Sequence, residues 1–312
     1  MITEFFITPG EQRKRLDQFL VHREPEISRS SLQRLIELGR IRVNAKIAKS
    51  SQKIKAGDHI TMDIPQPGQL EINGSPIPLE ILHEDESLLV INKPAGIVVH
   101  PTSGNWTGTL LNSLLAHFQD TQQTHLTPSF VHRLDKDTSG ILVVAKNREA
   151  HRALASQFEQ HTITRTYEAL TWGAPQDDEG MITLAIGRDI NNPKIHSCHT
   201  DMAHHAITKY HVSHRYAQIA SHLILSPQTG RTHQLRVHLA SLNVPILGDT
   251  VYGGDKVACI ETTDIPRHML HAQTLGFQHP TSGVFQEYTI TCPPDMQTVR
   301  QKLHDRTMSS LS

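Results

Sequence analysis

The chain has little cysteine: Cys198, Cys259 and Cys292 are the only three in 312 residues. An odd, widely spaced set excludes a disulfide framework and fits a reducing compartment, so a cytoplasmic protein is expected. No run approaches the roughly 18 consecutive apolar residues of a membrane span, and no membrane partner is expected. The start, MITEFFITPGEQRKR, lacks the charged-then-apolar order of a secretory leader. Nucleotide-binding loops, internal repeats and low-complexity tracts are missing as well. Net charge is small, -1 over the chain, but it conceals an asymmetry. Between Arg13 and Lys55 stand twelve Lys or Arg and four Asp or Glu, a local net of +8, which leaves -9 for the remainder. Clustered cations are how proteins hold phosphates, so a basic module joined to a mildly acidic body is the pattern to explain.

At 312 residues and 37% apolar composition, two domains with a real core are expected. The boundary falls in PQPGQLEINGSPIP, Pro65 to Pro78, where prolines and glycines exclude continuous helix or central strand. We therefore expect an N-terminal module over 13–64, a linker over 65–78 and a larger domain over 79–305. In the module, Leu16, Phe19 and Leu20 recur at helical spacing, as do Leu32, Leu35 and Ile36. Ser28 suits the N-cap of the second helix and Gly39 its C-terminal stop. IRVNAKI then predicts a strand, a turn at Asn44–Ala45 and a return. Downstream, Leu110, Leu114 and Phe118 mark an amphipathic helix, and Ala150, Leu154 and Phe158 the inner face of another. ILVVA, ITRTYEALTWG, AITKYHV and SHLILS predict strands that arrive with few helices between them. The fold class expected is α+β, a mixed and mainly antiparallel sheet with a small α/β module in front.

Two stretches carry candidate chemistry. In VHRLDKDTSGILVVAK an extended backbone would turn Arg133 and Asp135 to one side and His132 and Leu134 to the other. Asp137, followed by Thr138, Ser139 and Gly140, is the better turn former, which frees Asp135 for another purpose. In QTGRTHQLRVHLASLNVPILGD, Gly230 precedes a helix with Leu235, Leu239 and Leu242 on its apolar face, ended by Asn243 and Pro245. His233 and Arg236, three apart, are expected on one side of it. The polar set Arg231, His233, Gln234, Arg236 and His238 is denser than solubility requires.

The Ser-Arg start, helix, Gly stop and Val-Asn hairpin of the N-terminal module resemble the alpha-L RNA-binding fold. The likeness makes Arg29, Arg34, Arg40, Arg42, Lys46 and Lys49 candidate phosphate contacts, which supply affinity and position rather than base readout. HRLDKDTSGILVVAK, TYEALTWG, TGRTHQLRVHLA, PILGDTVYG and RHMLHAQTLGFQHPTSG follow one another as in the RluA family of RNA pseudouridine synthases. The likeness runs from about Arg13 to Pro294, and the module in front matches the RluD-like branch, which modifies large-subunit ribosomal RNA. It implies a catalytic domain with a central RNA-binding cleft. The implied reaction isomerises uridine to pseudouridine: the glycosidic bond breaks, the uracil turns, and it rejoins through carbon 5. That reaction uses no cofactor and no metal.

The resemblance also assigns roles. Asp135 corresponds to the essential carboxylate and Arg236 to the arginine that pairs with it. A carboxylate kept ionised where water is scarce needs such a neighbour. Tyr167 matches the tyrosine that stacks on the uracil, and a Tyr offers an apolar face with a polar tip. Arg133 matches the arginine that fills the space of the flipped base, while Arg231 and His233 join the RNA-binding set. The expected partner is RNA, either ribosomal RNA or a large-subunit assembly intermediate, and the expected state is a monomer. Alternatives are a transfer-RNA-directed enzyme of the same kind and a non-catalytic RNA-binding ribosome-assembly factor. A metal hydrolase is a third, since HSCHTDMAHH brings His196, Cys198, His199, His204 and His205 together. Zinc ligands are usually paired at two to four residues in each half of a site, so solvated loop histidines are the better expectation.

Overall fold

The computed structural model describes residues 2–24, 27, 32–33, 35–36, 39–63, 77–100, 108–192, 195–200, 203–253 and 265–311. They fall into two compact units, one made of the described residues up to 63 and the other of those from 77 onward. Most of the expected linker lies outside the described residues, as do Ser28, Arg29, Arg34 and Cys259.

In the N-terminal unit, β1 (Ile2–Phe6), β2 (Ile41–Val43), β3 (Lys46–Ile47) and β4 (His59–Asp63) form an antiparallel sheet ordered β1-β4-β2-β3. Its sheet thus includes residues ahead of position 13. The apolar residues of helix α1 (Leu16–Arg23) are buried with Leu32, Leu35 and Ile36 against Ile41, Val43, Ile60 and Met62. Gly39, at φ +67, turns the chain out of the second helical stretch, and the Arg40 N–H donates to the Leu35 carbonyl at 3.0 Å. Asn44 and Ala45 both take positive φ, 51° and 62°, as a tight two-residue hairpin demands.

The C-terminal unit contains β5 (Glu80–Glu84), β6 (Leu88–Lys93), β7 (Ser129–Phe130), β8 (Ser139–Ala145), β9 (Thr164–Trp172) and β10 (Glu179–Ile182). It continues with β11 (Gly187–Arg188), β12 (His196–Ser197), β13 (Thr208–Tyr216), β14 (Ala220–Pro227), β15 (Leu270–Gln278) and β16 (Phe285–Thr289). Helices α2 (Leu110–Asp120), α3 (Arg148–Glu159), α4 (Gln234–Ser241) and α5 (Pro294–Leu311) complete it. The large sheet runs β10-β13-β14-β9-β15-β8-β6-β5, with β16 on β15 and β7 on β8. One pairing among the described strands is parallel, β8 with β15, and the others are antiparallel, as the succession of strands predicts.

Every residue of β8 is buried, because helices cover both of its faces. Leu142 and Val144 pack with Leu110, Leu114 and Phe118 of α2, whereas Ile141, Val143 and Ala145 pack with Ala150 and Leu154 of α3. Each helix starts where a polar side chain takes up a free backbone N–H: Thr109 receives the Asn112 N–H at 3.3 Å, and Asn147 that of Ala150 at 2.8 Å. On the other half of the sheet, Leu235 and Leu239 of α4 and Met296, Val299 and Leu303 of α5 enter a separate core. Leu242 does not join it. The helix ends at Ser241, and Leu242, as its cap residue, stays 37% exposed.

The histidine excess, 22 residues, is not a matter of loops alone. His222, His238, His268, His271 and His279 are buried. His238 bridges the Thr208 hydroxyl and the Leu184 carbonyl, both at 2.9 Å, and His271 meets the Ser139 hydroxyl at 2.9 Å. Among the described members of the HSCHTDMAHH stretch, His199, His204 and His205 are exposed, but His196 lies half-buried on β12.

Two predictions follow from this core. Gly140 opens β8 at φ +121, and a Cβ there would collide with the backbone of Ala272 on β15. Strain and overpacking together should cost Gly140→Ala on the order of 3 kcal/mol, read as a lower urea midpoint. Burial also pulls His268 and His271 down to about 4. Unfolded histidine titrates near ~6.5, so between these values the unfolded chain holds more protons than the folded one. Stability is therefore complete above pH ~6.5 and lost as pH falls toward 4, by up to about 1.4 kcal/mol per unit for each histidine. A urea midpoint unchanged between pH 7 and pH 4.5 would contradict this.

Candidate active site

Asp135 stands in the connection between β7 and β8. The segment from His132 to Asp135 is not a strand, contrary to the extended-strand expectation, yet its alternation survives. Leu134 is buried while Arg133 is exposed and Asp135 half-buried. A turn follows, closed by the Thr138 N–H donating to the Asp135 carbonyl at 3.2 Å. The backbone of Asp135 thus serves the turn and its carboxylate is left free.

Two buried cations hold that turn. Lys93, at the end of β6, is fully buried, and its ammonium donates to the carbonyls of Pro94 (2.8 Å), Ile97 (2.9 Å) and Lys136 (3.0 Å). Burial lowers its pKa to about 7, opposed by the charge of Asp137. From the other side Arg267 donates to the Asp137 carbonyl at 2.9 Å and the Ser139 hydroxyl at 3.2 Å, while Asp295 of α5 pairs with its Nε at 2.7 Å.

Facing the turn is the N-terminal end of α4. Arg236, buried, donates through Nε and Nη2 to both oxygens of Asp249, at 2.7 and 2.9 Å. Its Nη1 donates to Asp135 Oδ2 at 3.1 Å. Asp249 is also buried, and its Oδ1 accepts the N–H groups of Val251 and Tyr252, both at 3.0 Å. Burial opposes ionisation of Asp249, but the Arg236 hydrogen bonds and charge prevail and hold it below the usual carboxylate range. One guanidinium thus serves two carboxylates. The bidentate clamp sets its plane, and with it the direction in which Nη1 points.

The ring of Tyr252 lies under Arg236, with the guanidinium 5.0 Å from its centre. His233 is the residue before α4 rather than a member of it, and its backbone is left-handed at φ 56. Its Nε2 nonetheless lies 3.9 Å from Asp135 Oδ1. Within the same polar set Gln234 and His238 point inward. Gln234 ties the Thr229 hydroxyl, the Arg231 N–H, the Ile207 carbonyl and the Thr208 hydroxyl together, fixing the loop ahead of the helix.

Of these groups Asp135, His233, Gln234 and Arg236 line a cavity of about 650 Å³, within the usual size of a small-molecule site. Tyr167 of β9 lines it too; burial raises the phenol pKa, with the Arg165 charge opposing and that of Asp135 adding. The hydroxyl therefore keeps its proton at neutral pH. His132 stacks on Phe158 and accepts the Val143 N–H on Nε2 at 3.0 Å, and burial lowers its pKa to about 3. The charged groups of the described lining are Arg133, Arg165, Arg231 and Arg236 against Asp135 and Glu159, so the cleft is basic in a unit whose sequence is acidic.

The structure thus brings Arg133, Asp135, Tyr167, Arg231, His233 and Arg236 to one cavity. Arg40, Arg42, Lys46 and Lys49 belong to the other unit. There Arg40 pairs with Asp63 at 2.8 Å and Arg42 donates to the Gly39 carbonyl at 3.0 Å, while Lys46 and Lys49 are exposed. Sequence reasoning missed Asp249, Tyr252, Lys93 and Arg165. Arg165 could have been found, since it precedes Tyr167 by two on a strand and must share its face. It lies over the Phe158 ring at 5.5 Å, and its Nε has no hydrogen-bond partner among the described residues.

The model of the RNA pseudouridylate synthase family matches residues 87–241, and that of the S4 domain residues 14–60. A Bacillus subtilis (strain 168) protein described as an uncharacterized RNA pseudouridine synthase is 40% identical over 301 residues, covering 95% of this chain and 97% of its own. Ribosomal large subunit pseudouridine synthase D of Zymomonas mobilis is 40% identical over 298 residues, 93% of each chain. Among solved structures, human RNA pseudouridylate synthase domain containing 1 superimposes with a TM-score of 0.57 at 27% identity, over 72% of this chain and 94% of its own. This chain belongs to the RNA pseudouridylate synthase family and carries an S4 domain ahead of its catalytic unit.

Proposed function

We propose that the protein converts specific uridines of large-subunit ribosomal RNA to pseudouridine, with Asp135 as the essential carboxylate. The observation that carries this reading is the Asp135–Arg236–Asp249 arrangement at the base of a basic cleft. Three charges, two negative and one positive, leave Asp135 paired but not neutralised, so it can act on an electron-poor uracil or sugar carbon. Large-subunit RNA is favoured by the printed name of the Zymomonas mobilis relative. The protein would act in the cytoplasm as a monomer, its S4 domain holding RNA through exposed cations such as Arg42, Lys46 and Lys49.

A uridine stacked in a helix hides its glycosidic bond, so the nucleotide must leave the stack at a cost of a few kcal/mol. Arg133, exposed beside Asp135, enters the vacated space, where a planar cation replaces lost stacking and meets the RNA backbone. The flipped uracil lies against Tyr167; once carbon 5 is joined to the sugar, the hydroxyl can take the carbon-5 proton as it releases its own to water, and the freed N1 takes up a proton in exchange, so none is gained or lost overall. Arg236 keeps the carboxylate pointed, and Asp249 keeps Arg236 in place.

Asp135→Asn preserves shape and removes charge. In cells lacking the gene it is expected to restore none of the missing pseudouridines that wild type restores, a fall of at least about a thousandfold in vitro, or roughly 4 kcal/mol. Full restoration by the variant would reject Asp135 as the catalyst. Asp249→Asn removes the countercharge of Arg236 without touching RNA, and turnover should fall by about ten- to a hundredfold with KM little changed. Single-turnover assays against RNA concentration separate the two parameters, and a rise in KM alone would contradict the clamp's role.

A further inference from the structure

We propose that His233 is a positioning residue for Asp135, its ring held by Tyr252 in the tautomer that presents an Nε2 hydrogen to the second carboxylate oxygen. The inference rests on the reading of Asp135 as the reactive carboxylate.

The hydrogen-bond inventory around Tyr252 sets the tautomer. Its phenol oxygen accepts the His196 backbone N–H at 3.0 Å. The hydroxyl has one proton to donate, and the acceptor beside it is His233 Nδ1 at 2.8 Å. If Nδ1 carried a proton, two donors would converge on one phenol oxygen, and the hydroxyl proton would lose that acceptor. Nδ1 is therefore bare and Nε2 carries the hydrogen. The opposite end of the ring agrees independently. Nε2 lies 3.9 Å from Asp135 Oδ1, where an N–H is attracted to the carboxylate and a bare lone pair would be repelled. Burial lowers the pKa of His233, opposed by the charge of Asp135, so the ring is neutral at working pH and this logic applies.

Tyr252 thereby organises both partners of Asp135. Its ring supports Arg236, which holds Oδ2, and its hydroxyl sets His233, which faces Oδ1. The left-handed backbone at position 233 fits a residue placed for this purpose. Such a conformation is unfavourable for a non-glycine residue and persists where surrounding contacts enforce it. Here His196 and Tyr252 both meet the ring edge to face, at 5.6 and 5.7 Å between centres. At 3.9 Å the His233–Asp135 contact is too long for a hydrogen bond. Catalytic contacts commonly tighten on substrate binding, and closure here would fix the carboxylate at both oxygens.

The first test is the tautomer, read by nitrogen-15 NMR of histidine-labelled full-length protein, with the His233 signal assigned by its loss in His233→Gln. The expected result is a protonated Nε2 and a bare Nδ1 in wild type, and a mixture or reversal in Tyr252→Phe. A protonated Nδ1 in wild type overturns the proposal. The second test is single-turnover kinetics on in-vitro-transcribed large-subunit ribosomal RNA. His233→Leu is expected to lower turnover about thirtyfold and Tyr252→Phe about tenfold, each with KM within about twofold. His233→Gln, whose amide can supply the missing hydrogen, should recover most of the loss. Equal impairment of the Gln and Leu variants, or a change confined to KM, overturns the positioning role. Asp135→Asn run in parallel separates the two readings. If it is inactive while His233→Leu is fully active, the His233 role alone fails; if it is fully active, the reading of Asp135 fails whatever the tautomer.

Discussion

The buried pair of Arg236 and Asp249 is what the rest of the site depends on. Neither charge could stay where it is without the other, because an unpaired ion so deep would cost several kcal/mol. Asp249 reaches Arg236 because the turn after it offers the N–H groups of Val251 and Tyr252 to its Oδ1. Arg236 in turn spends two of its donors on Asp249 and turns a third, on Nη1, to Asp135. The direction of the Asp135 carboxylate is therefore set by a residue that lines none of the described cavity.

The opposite side of the cleft is organised by a crossing of strands. β8 enters the sheet immediately after the Asp135 turn and pairs in parallel with β15 at Ser139 and Gly140. Backbones approach so closely there that residue 140 must lack a side chain. Lys93 and Arg267 then draw the carbonyls of Lys136 and Asp137 to fixed points on either side of the turn. The geometry around Asp135 is in this way tied to the centre of the sheet, the part of the fold least able to move.

Histidine works here mainly as a neutral hydrogen-bonding group. His132 accepts a strand N–H, His238 links two elements, and His268 and His271 meet the hydroxyls of Thr138 and Ser139 beside the Asp135 turn. Burial keeps these rings uncharged, so each can donate on one nitrogen and accept on the other without a countercharge. The same feature makes the architecture sensitive to acid.

The sequence by itself determined a good deal. Apolar spacing located α1, α2 and α3 and the run that became β8, because a helix or strand face is written in local periodicity. The motifs around Asp135, Tyr167 and Arg236 identified the residues that meet in one cleft, and the basic bias between Arg13 and Lys55 marked a separate module. What the sequence left open was every relation across distance. His233 was read as part of a helix, but its left-handed backbone is imposed by rings from β12 and from the turn after Asp249. His196 was read as a loop histidine, and only the packing of its strand buries it against His233. Lys93 carries no local sign of Lys136, 43 residues away, nor Asp249 of Arg236, 13 residues away. A side chain's type is set by the gene, but its countercharge, its desolvation and its tautomer are set by whatever the fold places beside it.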